Sequence, residues 1–472
     1  METDIRQSAM TTPRAGSRAL ALLAFAQFLV VLNTSIVNVA LDAIATQWRM
    51  SPAGLSWVIN AYLLPFGGLL LLGGRLGDLL GRRRVLLAGG VVLTAGSLAA
   101  AGAWTEPVLL AARAAQGIGA ALLAPTALAI TVVMFAAPAQ RRRALGIVGA
   151  VSGLGGAAGV LFSGVLTQTL GWRSIFVLTA LLALVTVVVT PSLVPRDVPA
   201  GHRRLDAAGA LMVTVGVTAL VYALSAGPRA GWGAPLPVAA LAGGVVVLAM
   251  FVGWQRRAAD PLVRLGILRS GPVGPANALM LLLGAVWIGL FFYLPLLQQQ
   301  VLGYRPLTAG LSQLPLAGAT VVASGLAPRV AARLGGRTSL VGAFAVLAAG
   351  LAWLGVVPSD ASFVADLLGP MLLIGVGLGL AFVLLTTLGV NGVDPDESGL
   401  ASGLVNTTRQ VGGGLGLALL TAAASVAATR GGHGGVEALA QGFRWSFRTG
   451  FVIAALAALA ALFTVPAGIA RR

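Results

Sequence analysis

About fourteen apolar runs, each long enough to cross a bilayer, fill this chain and leave only short polar connections between them. They lie near residues 19–42, 54–73, 84–103, 107–134, 144–166, 173–191, 207–226, 236–255, 273–297, 308–328, 338–357, 365–391, 400–428 and 448–468. At about 1.5 Å per residue, about 20 apolar residues span a hydrocarbon core of about 30 Å. In lipid, a spanning segment must satisfy its own backbone hydrogen bonds, and runs of this length do so as helices. The expected fold class is an all-α polytopic membrane protein. Composition leaves no soluble alternative. Of 472 residues, 57% are hydrophobic and 10% charged, and the mean hydropathy is +0.93. A water-soluble surface needs roughly a quarter of the residues charged.

All 31 basic residues are arginine, because the chain has no lysine. With the N-terminus inside, 22 of them fall on the inner side, including Arg82, Arg83, Arg84, Arg141, Arg142 and Arg143. Seven fall outside, and Arg113 and Arg409 remain within spans. Cytoplasmic loops carry the excess of basic residues, so both termini are expected in the cytoplasm and the chain in the cell membrane. An odd number of spans would scramble this sorting, while twelve and fourteen both preserve it. The sorting also accounts for the net charge of +17, so no nucleic-acid partner is expected.

The missing residue types exclude several chemistries. Without lysine there is no Walker A phosphate loop and no Schiff base, and without cysteine neither disulfides nor thiolate metal sites. No metal cluster, nucleophile–base pair or cofactor loop is evident, so neither an enzyme nor a cofactor is expected. His202 and His433 lie in loops and receive no role. The first run is too long for a cleaved signal sequence and reads as an uncleaved helix.

An internal repeat divides the chain. The turn after the second run, Gly74-Arg75-Leu76-Gly77-Asp78-Leu79-Leu80-Gly81-Arg82-Arg83-Arg84, is echoed after the tenth by Pro328-Arg329-Val330-Ala331-Ala332-Arg333-Leu334-Gly335-Gly336-Arg337. Arg75 matches Arg329, Leu80-Gly81 matches Leu334-Gly335, and Asp78 matches Ala332. The expected organisation is a six-helix bundle over residues 1–191, two extra spans with linkers over 192–272, and a second six-helix bundle over 273–472. Two parallel halves are a common plan for secondary transporters, with substrate held near the midplane between them.

The first of these loops resembles the signature loop of the major facilitator superfamily. That resemblance implies a conformational latch formed by Gly74, Arg75, Gly77, Asp78, Gly81, Arg82 and Arg83. Asp78 could pair with Arg82 and Arg83 or with a helix N-terminus. The fourth span carries Arg113-Ala114-Ala115-Gln116-Gly117-Ile118-Gly119, similar to the family's intramembrane arginine motif, which implies a part in proton coupling. An arginine inside a membrane is costly and by default functional, although one that snorkels to the outer surface would be structural. In the fifth span, Gly149, Gly153, Gly155, Gly156, Gly159 and Gly164 resemble the family's antiporter motif but lack its proline, Val160 standing there instead. Close helix packing explains those glycines equally well. Gly399 to Gly413, with Asn406, Arg409 and Gln410, is similar to the penultimate span of the fourteen-helix drug:proton antiporters. The two extra spans, introduced by Arg204-Leu205-Asp206, separate that family from its twelve-helix relatives.

The first span contains Val31-Leu32-Asn33-Thr34-Ser35-Ile36-Val37-Asn38-Val39-Ala40-Leu41, a polar interruption of an apolar helix. It resembles the family's first-span motif, in which an acid commonly stands where this chain has Asn33. Asn33 lies about 21 Å above the inner boundary, and Arg113 about 10 Å below the outer one, so the two share a depth. Asn33 could accept a hydrogen bond from Arg113. Asn38, Asn60 and Gln116 are expected to join them on one wall of a midplane cavity, unless they serve only interhelical bonding. From the second half, Asn277, Trp287, Tyr293, Gln313, Asn406 and Arg409 are expected there, because polar and aromatic groups within apolar helices orient a ligand without strict selectivity. None of the 14 acids sits at the centre of a span. Glu106, two helical turns before Arg113, is the first candidate for a titrating group, followed by Asp42.

The resemblance implies a secondary transporter that exports amphipathic small molecules, such as an antibiotic or other natural product, in exchange for protons, by rocking of two bundles. Its partners are the substrate, protons and the lipid bilayer, and a monomer is expected. With Arg113 facing no central acid, neutral or weakly anionic substrates should be favoured over cations. An uncoupled facilitator, an importer of the same fold, and a transport-dead membrane receptor or scaffold remain as alternatives.

Overall fold

The computed structural model of the chain describes residues 13–135, 137–197, 205–391, 393, 397–430 and 435–465. His202, His433, Asp394 and Asp396 lie outside them. The described residues form sixteen α-helices. In the first half these are α1 (Pro13–Ser35), α2 (Leu41–Trp48), α3 (Pro52–Leu80), α4 (Arg82–Ala101), α5 (Glu106–Met134), α6 (Pro138–Leu170) and α7 (Arg173–Leu193). Next come α8 (Ala207–Ala230) and α9 (Pro235–Gln255). The second half holds α10 (Val273–Leu296), α11 (Pro306–Ser312), α12 (Leu314–Leu334), α13 (Gly336–Leu354), α14 (Leu368–Val390), α15 (Ser398–Arg430) and α16 (Val436–Thr464). Grouped across short breaks, they make 14 spans long and apolar enough to cross a membrane. The protein is a multi-pass, all-helical membrane protein. One face of the bundle carries the arginine-rich turns and the other is arginine-poor.

The first span is not the continuous helix its hydropathy suggests. It stops at Ser35, passes through a 3-10 turn at Asn38–Ala40, and resumes as α2. The polar residues supply the reason. Thr34 Oγ1 donates to Val30 O at 3.0 Å, and Ser35 Oγ to Leu32 O at 3.2 Å. Such back-bonding competes with the helical ladder and bends it. The tenth run is likewise divided, at Gln313, into α11 and α12.

The repeat seen in the sequence is structural. Gly81 and Gly335 each end a helix with φ of +94° and +82°, a left-handed region in which a side chain would be strained. Both turns reverse the chain within one residue. The packing repeats too: α3 and α4 lie on α5, α1 lies on α6, and α4 on α7, as α12 and α13 lie on α14, α10 on α15, and α13 on α16. The halves meet along two seams, α3 against α15 and α6 against α11.

The two extra helices pack on each other, and α8 covers the α3–α15 seam from the side. Their geometry is anchored by Asp206, a buried carboxylate. It caps α8 by accepting from Gly209 N (2.8 Å) and also accepts from Trp254 Nε1 (2.8 Å), Gln255 Nε2 (2.6 Å) and Leu262 N (3.0 Å). Burial acts to raise its pKa, but these four donors outweigh burial and hold it below the ordinary carboxylate value. Asp206→Ala is therefore expected to destabilise the protein by about 2–4 kcal/mol, since it orphans buried donors of a charge-assisted network. Because the folded-state pKa is depressed, this contribution is full above about pH 4 and disappears as the pH falls through the lower folded value. Melting curves of the parent and Asp206→Asn should differ at neutral pH and converge in acid. Equal melting points at neutral pH would remove Asp206 as an anchor.

Candidate functional site

Close backbone approach creates the centre of the first half. A Cβ on Gly117 would overlap the Tyr62 carbonyl, so α5 lies directly on α3. Gly96 lets α4 reach Gln116 in the same way, its would-be Cβ 3.0 Å from Gln116 N. In the space so defined sits the Arg113 guanidinium, 0% exposed. Its Nε donates to Val58 O at 3.0 Å, and its Nη1 to Asn33 Oδ1 at 3.3 Å and Gln116 Oε1 at 2.8 Å. Gln116 Nε2 passes the chain on to Ser97 Oγ at 2.8 Å. The cation stands over the Tyr62 ring, 4.6 Å from its centroid. Helices α1, α3, α4 and α5 are thus joined through one arginine that has only neutral partners. Its Nη2, like Asn33 Nδ2, is buried without a hydrogen-bond partner.

The second half presents a counterpart. Arg409 on α15 donates from Nη2 to Asn406 Oδ1 at 3.2 Å and lies 5.7 Å from the Phe382 ring centroid. Phe382 on α14 packs on Trp287 of α10 at 5.7 Å, and Trp287 on Phe291 at 6.2 Å. Arg409 Nε is buried with no hydrogen-bond partner, whereas Asn406, in mid-helix, is exposed. Each half therefore carries one buried or partly buried arginine with its own aromatic neighbour, Tyr62 for Arg113 and Phe382 for Arg409.

The remaining expected residues are distributed differently. Asn60 is fully buried on the α3–α15 seam, where a Cβ on Gly414 would stand 3.6 Å from its Oδ1. Both its side-chain atoms lack partners, as do both of Gln410, which meets Gly67 across the same seam. Asn38 is buried in the 3-10 turn. Asn277 is tied within the second bundle, donating to Val273 O at 2.9 Å and accepting from Thr408 Oγ1 at 3.0 Å. Tyr293 also turns inward, donating to Thr421 Oγ1 at 3.0 Å and packing on Phe443. Gln313 lies buried at the α11–α12 break with its Oε1 unpartnered. Of the second-half residues expected together, the structure brings Trp287, Asn406 and Arg409 to one place and holds Asn277 and Tyr293 inside bundle packing.

Glu106 does not reach Arg113. It begins α5 and lies beside Gly54 at the start of α3. Seven residues share a helix face but differ by about 10 Å in depth, so a common face did not mean contact. Among the described residues, no acid occupies the middle of a span.

Asp42 instead joins the halves. At the arginine-poor face Gln300 Nε2 donates to Asp42 Oδ1 at 2.9 Å, Gln299 Nε2 to Val39 O at 3.0 Å, and Leu307 N to Gln168 Oε1 at 3.1 Å. A π-helical turn, Leu297–Val301, projects the glutamines toward the 3-10 turn of the first half. Gly164 and Gly310 allow α6 and α11 to touch there, a Cβ on Gly164 standing 2.7 Å from Pro306 O. Toward the arginine-rich face, Gly146, Gly149 and Gly153 of α6, and Gly318 and Gly325 of α12, have no neighbours where a side chain would project.

The signature loop closes on the linker rather than across the halves. Asp78 Oδ1 pairs with Arg82 at 2.8 Å. Gly77 stands against Thr126 and Gly74 against Pro125. Arg75 Nη1 donates to Asp260 O at 2.9 Å, and its Nη2 to Pro261 O. Asp197 caps α4, accepting from Arg82 N at 2.6 Å and Arg83 N at 3.3 Å.

Sequence reasoning missed Tyr62, Phe382, Asp197 and Gln300. Their residue types carry no motif, and only the crossing of distant helices gives them a place. Chemically, the centre offers two guanidiniums, amides and aromatic rings, with no nucleophile–base pair among them.

A family model described as "Major Facilitator Superfamily" matches residues 23–417. The cephamycin export protein CmcT of Amycolatopsis lactamdurans is 39% identical over 366 residues, covering 77% of this chain and 75% of that protein. The puromycin resistance protein pur8 of Streptomyces alboniger is 40% identical over 364 residues, covering 76% and 72%. Among solved structures, the POT family transporter PepTSo superposes with a TM-score of 0.71 at 15% identity, covering 96% of this chain and 98% of that one. The D-xylose-proton symporter gives 0.66 at 15%, with the same coverage. At such identity these structures establish a shared fold.

Proposed function

Because this chain belongs to the major facilitator superfamily, we propose that it exports an amphipathic small molecule, of the antibiotic or natural-product class, in exchange for protons. Relatives named for export of, or resistance to, antibiotics support the direction and the substrate class. The observation that carries the reading is the site between the halves. Two arginines, one per bundle, lie near unpartnered amides, while the α6–α11 seam is closed at the arginine-poor face and the glycines of α6 and α12 toward the other face meet no neighbour. A substrate enters from the arginine-rich, cytoplasmic side, where both termini lie, and leaves when the bundles rock. The loop from Gly74 to Arg83 acts as the latch, holding the linker through Arg75.

Proton coupling in this scheme falls to Asp42 before Glu106. Asp42 accepts a hydrogen bond from the opposite half, so its protonation weakens a contact that closes the arginine-poor face. Glu106 lies beside Gly54 of its own half. The lack of a central acid favours one second reading, an uncoupled facilitator.

Proteoliposomes loaded with puromycin test both. Flux should follow an imposed pH gradient, stop when an ionophore collapses it, and lose its pH dependence in Asp42→Asn while keeping it in Glu106→Gln. Downhill flux indifferent to the ionophore would instead establish the facilitator.

A further inference from the structure

We propose that the segment joining α9 to α10 is a strap that keeps α3 and α15 together at the arginine-rich face, and that the two halves turn about this seam. The inference rests on the transport reading for the existence of a cycle, and it names the hinge of that cycle.

Four consecutive residues of the segment each have a backbone group taken by a side chain. From the first half, Arg75 Nη1 donates to Asp260 O at 2.9 Å and its Nη2 to Pro261 O. From the extra helices, Asp206 Oδ2 accepts from Leu262 N at 3.0 Å, and Gln255 Oε1 from Val263 N at 2.9 Å. Backbone groups held in this way fix the path of the chain. The next residue reaches the second half: Arg264 Nη1 donates to Glu397 Oε1 at 2.7 Å, just before α15 begins. That pair is exposed and contributes little by itself. The apolar side of the segment grips harder. Leu262, Val263 and Ile267 are buried in one cluster with Ala210 of α8 and with Ala401 and Leu404 of α15, and Leu71 of α3 packs against it. Parting α3 from α15 here would return these side chains to water.

The seam above the strap is built for close contact. Gly67 seats Gln410, Gly414 seats Leu64, and a Cβ on Gly403 would stand 2.7 Å from Leu71 Cδ2. Helix α8 covers the seam from the side, with Thr214 seated on Gly68. Small residues let two helices stay in contact while they turn against each other. The seam of α6 with α11 and α12 differs. Gly164 and Gly310 touch the opposite helix at the arginine-poor face, whereas Gly146, Gly149 and Gly153, and Gly318 and Gly325, meet nothing toward the other. Bodies joined along one edge move most at the other. At the arginine-rich face, α6 and α12 are therefore the helices that part and meet.

A chain without cysteine accepts paired spin labels, read by pulsed electron paramagnetic resonance on the purified protein in nanodiscs. Gly146→Cys with Gly325→Cys reports on α6 and α12, and Leu80→Cys with Gly399→Cys on the arginine-rich ends of α3 and α15; all four positions are exposed. Each pair is measured with and without Gly164→Leu, which disturbs the contact at the arginine-poor face. The first distance should shorten by about 5 Å or more, while the second holds within about 2 Å. Arg75→Gln should widen the second distribution by about twofold, with Arg75→Lys between it and the parent. Ile267→Asp breaks the apolar grip and leaves Arg75 in place, so it should widen the distribution too; a fold lost in one variant leaves the other to decide. Equal shifts of both pairs in Gly164→Leu, or a first distance that does not move, overturn the hinge. A second distribution unchanged by both Arg75→Gln and Ile267→Asp overturns the strap. These readouts need no flux, so a protein that moves in this way yet carries nothing in proteoliposomes defeats the export reading alone.

Discussion

Arg113→Ala is expected to abolish transport, by more than about a hundredfold, while lowering stability by only about 1–3 kcal/mol. The two effects separate because of what surrounds the guanidinium. Removing it leaves Asn33 Oδ1 and Gln116 Oε1 without their donor and opens a cavity between α3 and α5. Against that loss, the protein no longer buries a cation among neutral partners, which offsets part of the cost. Transport has no such compensation, since one of its two central charges is gone. Arg113→Lys should keep the charge but lose most of the activity. An ammonium is a point donor and cannot serve Val58 O, Asn33 and Gln116 from the fork that guanidinium provides. Drug accumulation in cells, compared with melting of the purified variants, reads both quantities. An alanine variant that melts like the parent and still confers resistance would remove Arg113 from the mechanism.

The second large effect is expected at the arginine-poor face. Gly164→Leu puts a side chain where α6 and α11 touch, against Pro306 O and Leu307 Cα. Both obstacles are backbone, so the contact cannot relax by rotamer change. Such overpacking costs about 3 kcal/mol, enough to deplete the closed arrangement by roughly two orders of magnitude. Each bundle keeps its own packing, so expression and melting should stay close to those of the parent while transport collapses. The absence of cysteine makes the state directly readable. A single Thr34→Cys on α1 should react faster with a membrane-impermeant maleimide, applied to the arginine-poor face, when Gly164→Leu is present. Unchanged transport, with unchanged labelling, would mean that closure of this face is not part of the cycle.

These two sites differ in how much of them the sequence revealed. For Arg113, counting residues from span boundaries equalised its depth with that of Asn33, and the hydrogen bond is present at 3.3 Å. Depth follows from helical rise and bilayer thickness, quantities that a linear sequence contains. The fifth-span glycines were visible but ambiguous. In the structure Gly155 and Gly159 receive α1, Gly164 receives α11, and Gly153 faces open space. One composition serves three surroundings, and spacing alone could not sort them.

Hydropathy determined the number of spans, and counting residues from their boundaries determined the depth of the buried arginine. Those properties come from the chain's exchange between water and lipid, which each segment makes on its own. Only the tertiary structure decided which faces meet: that Arg113 stands over the Tyr62 ring, that Tyr293 belongs to bundle packing, and that Asp42 accepts a hydrogen bond from the other half. Lipid is as apolar as most side chains, so helix pairing is chosen by small-residue fit and a few polar contacts among distant segments. That information is spread over pairs of residues and is absent from any single run.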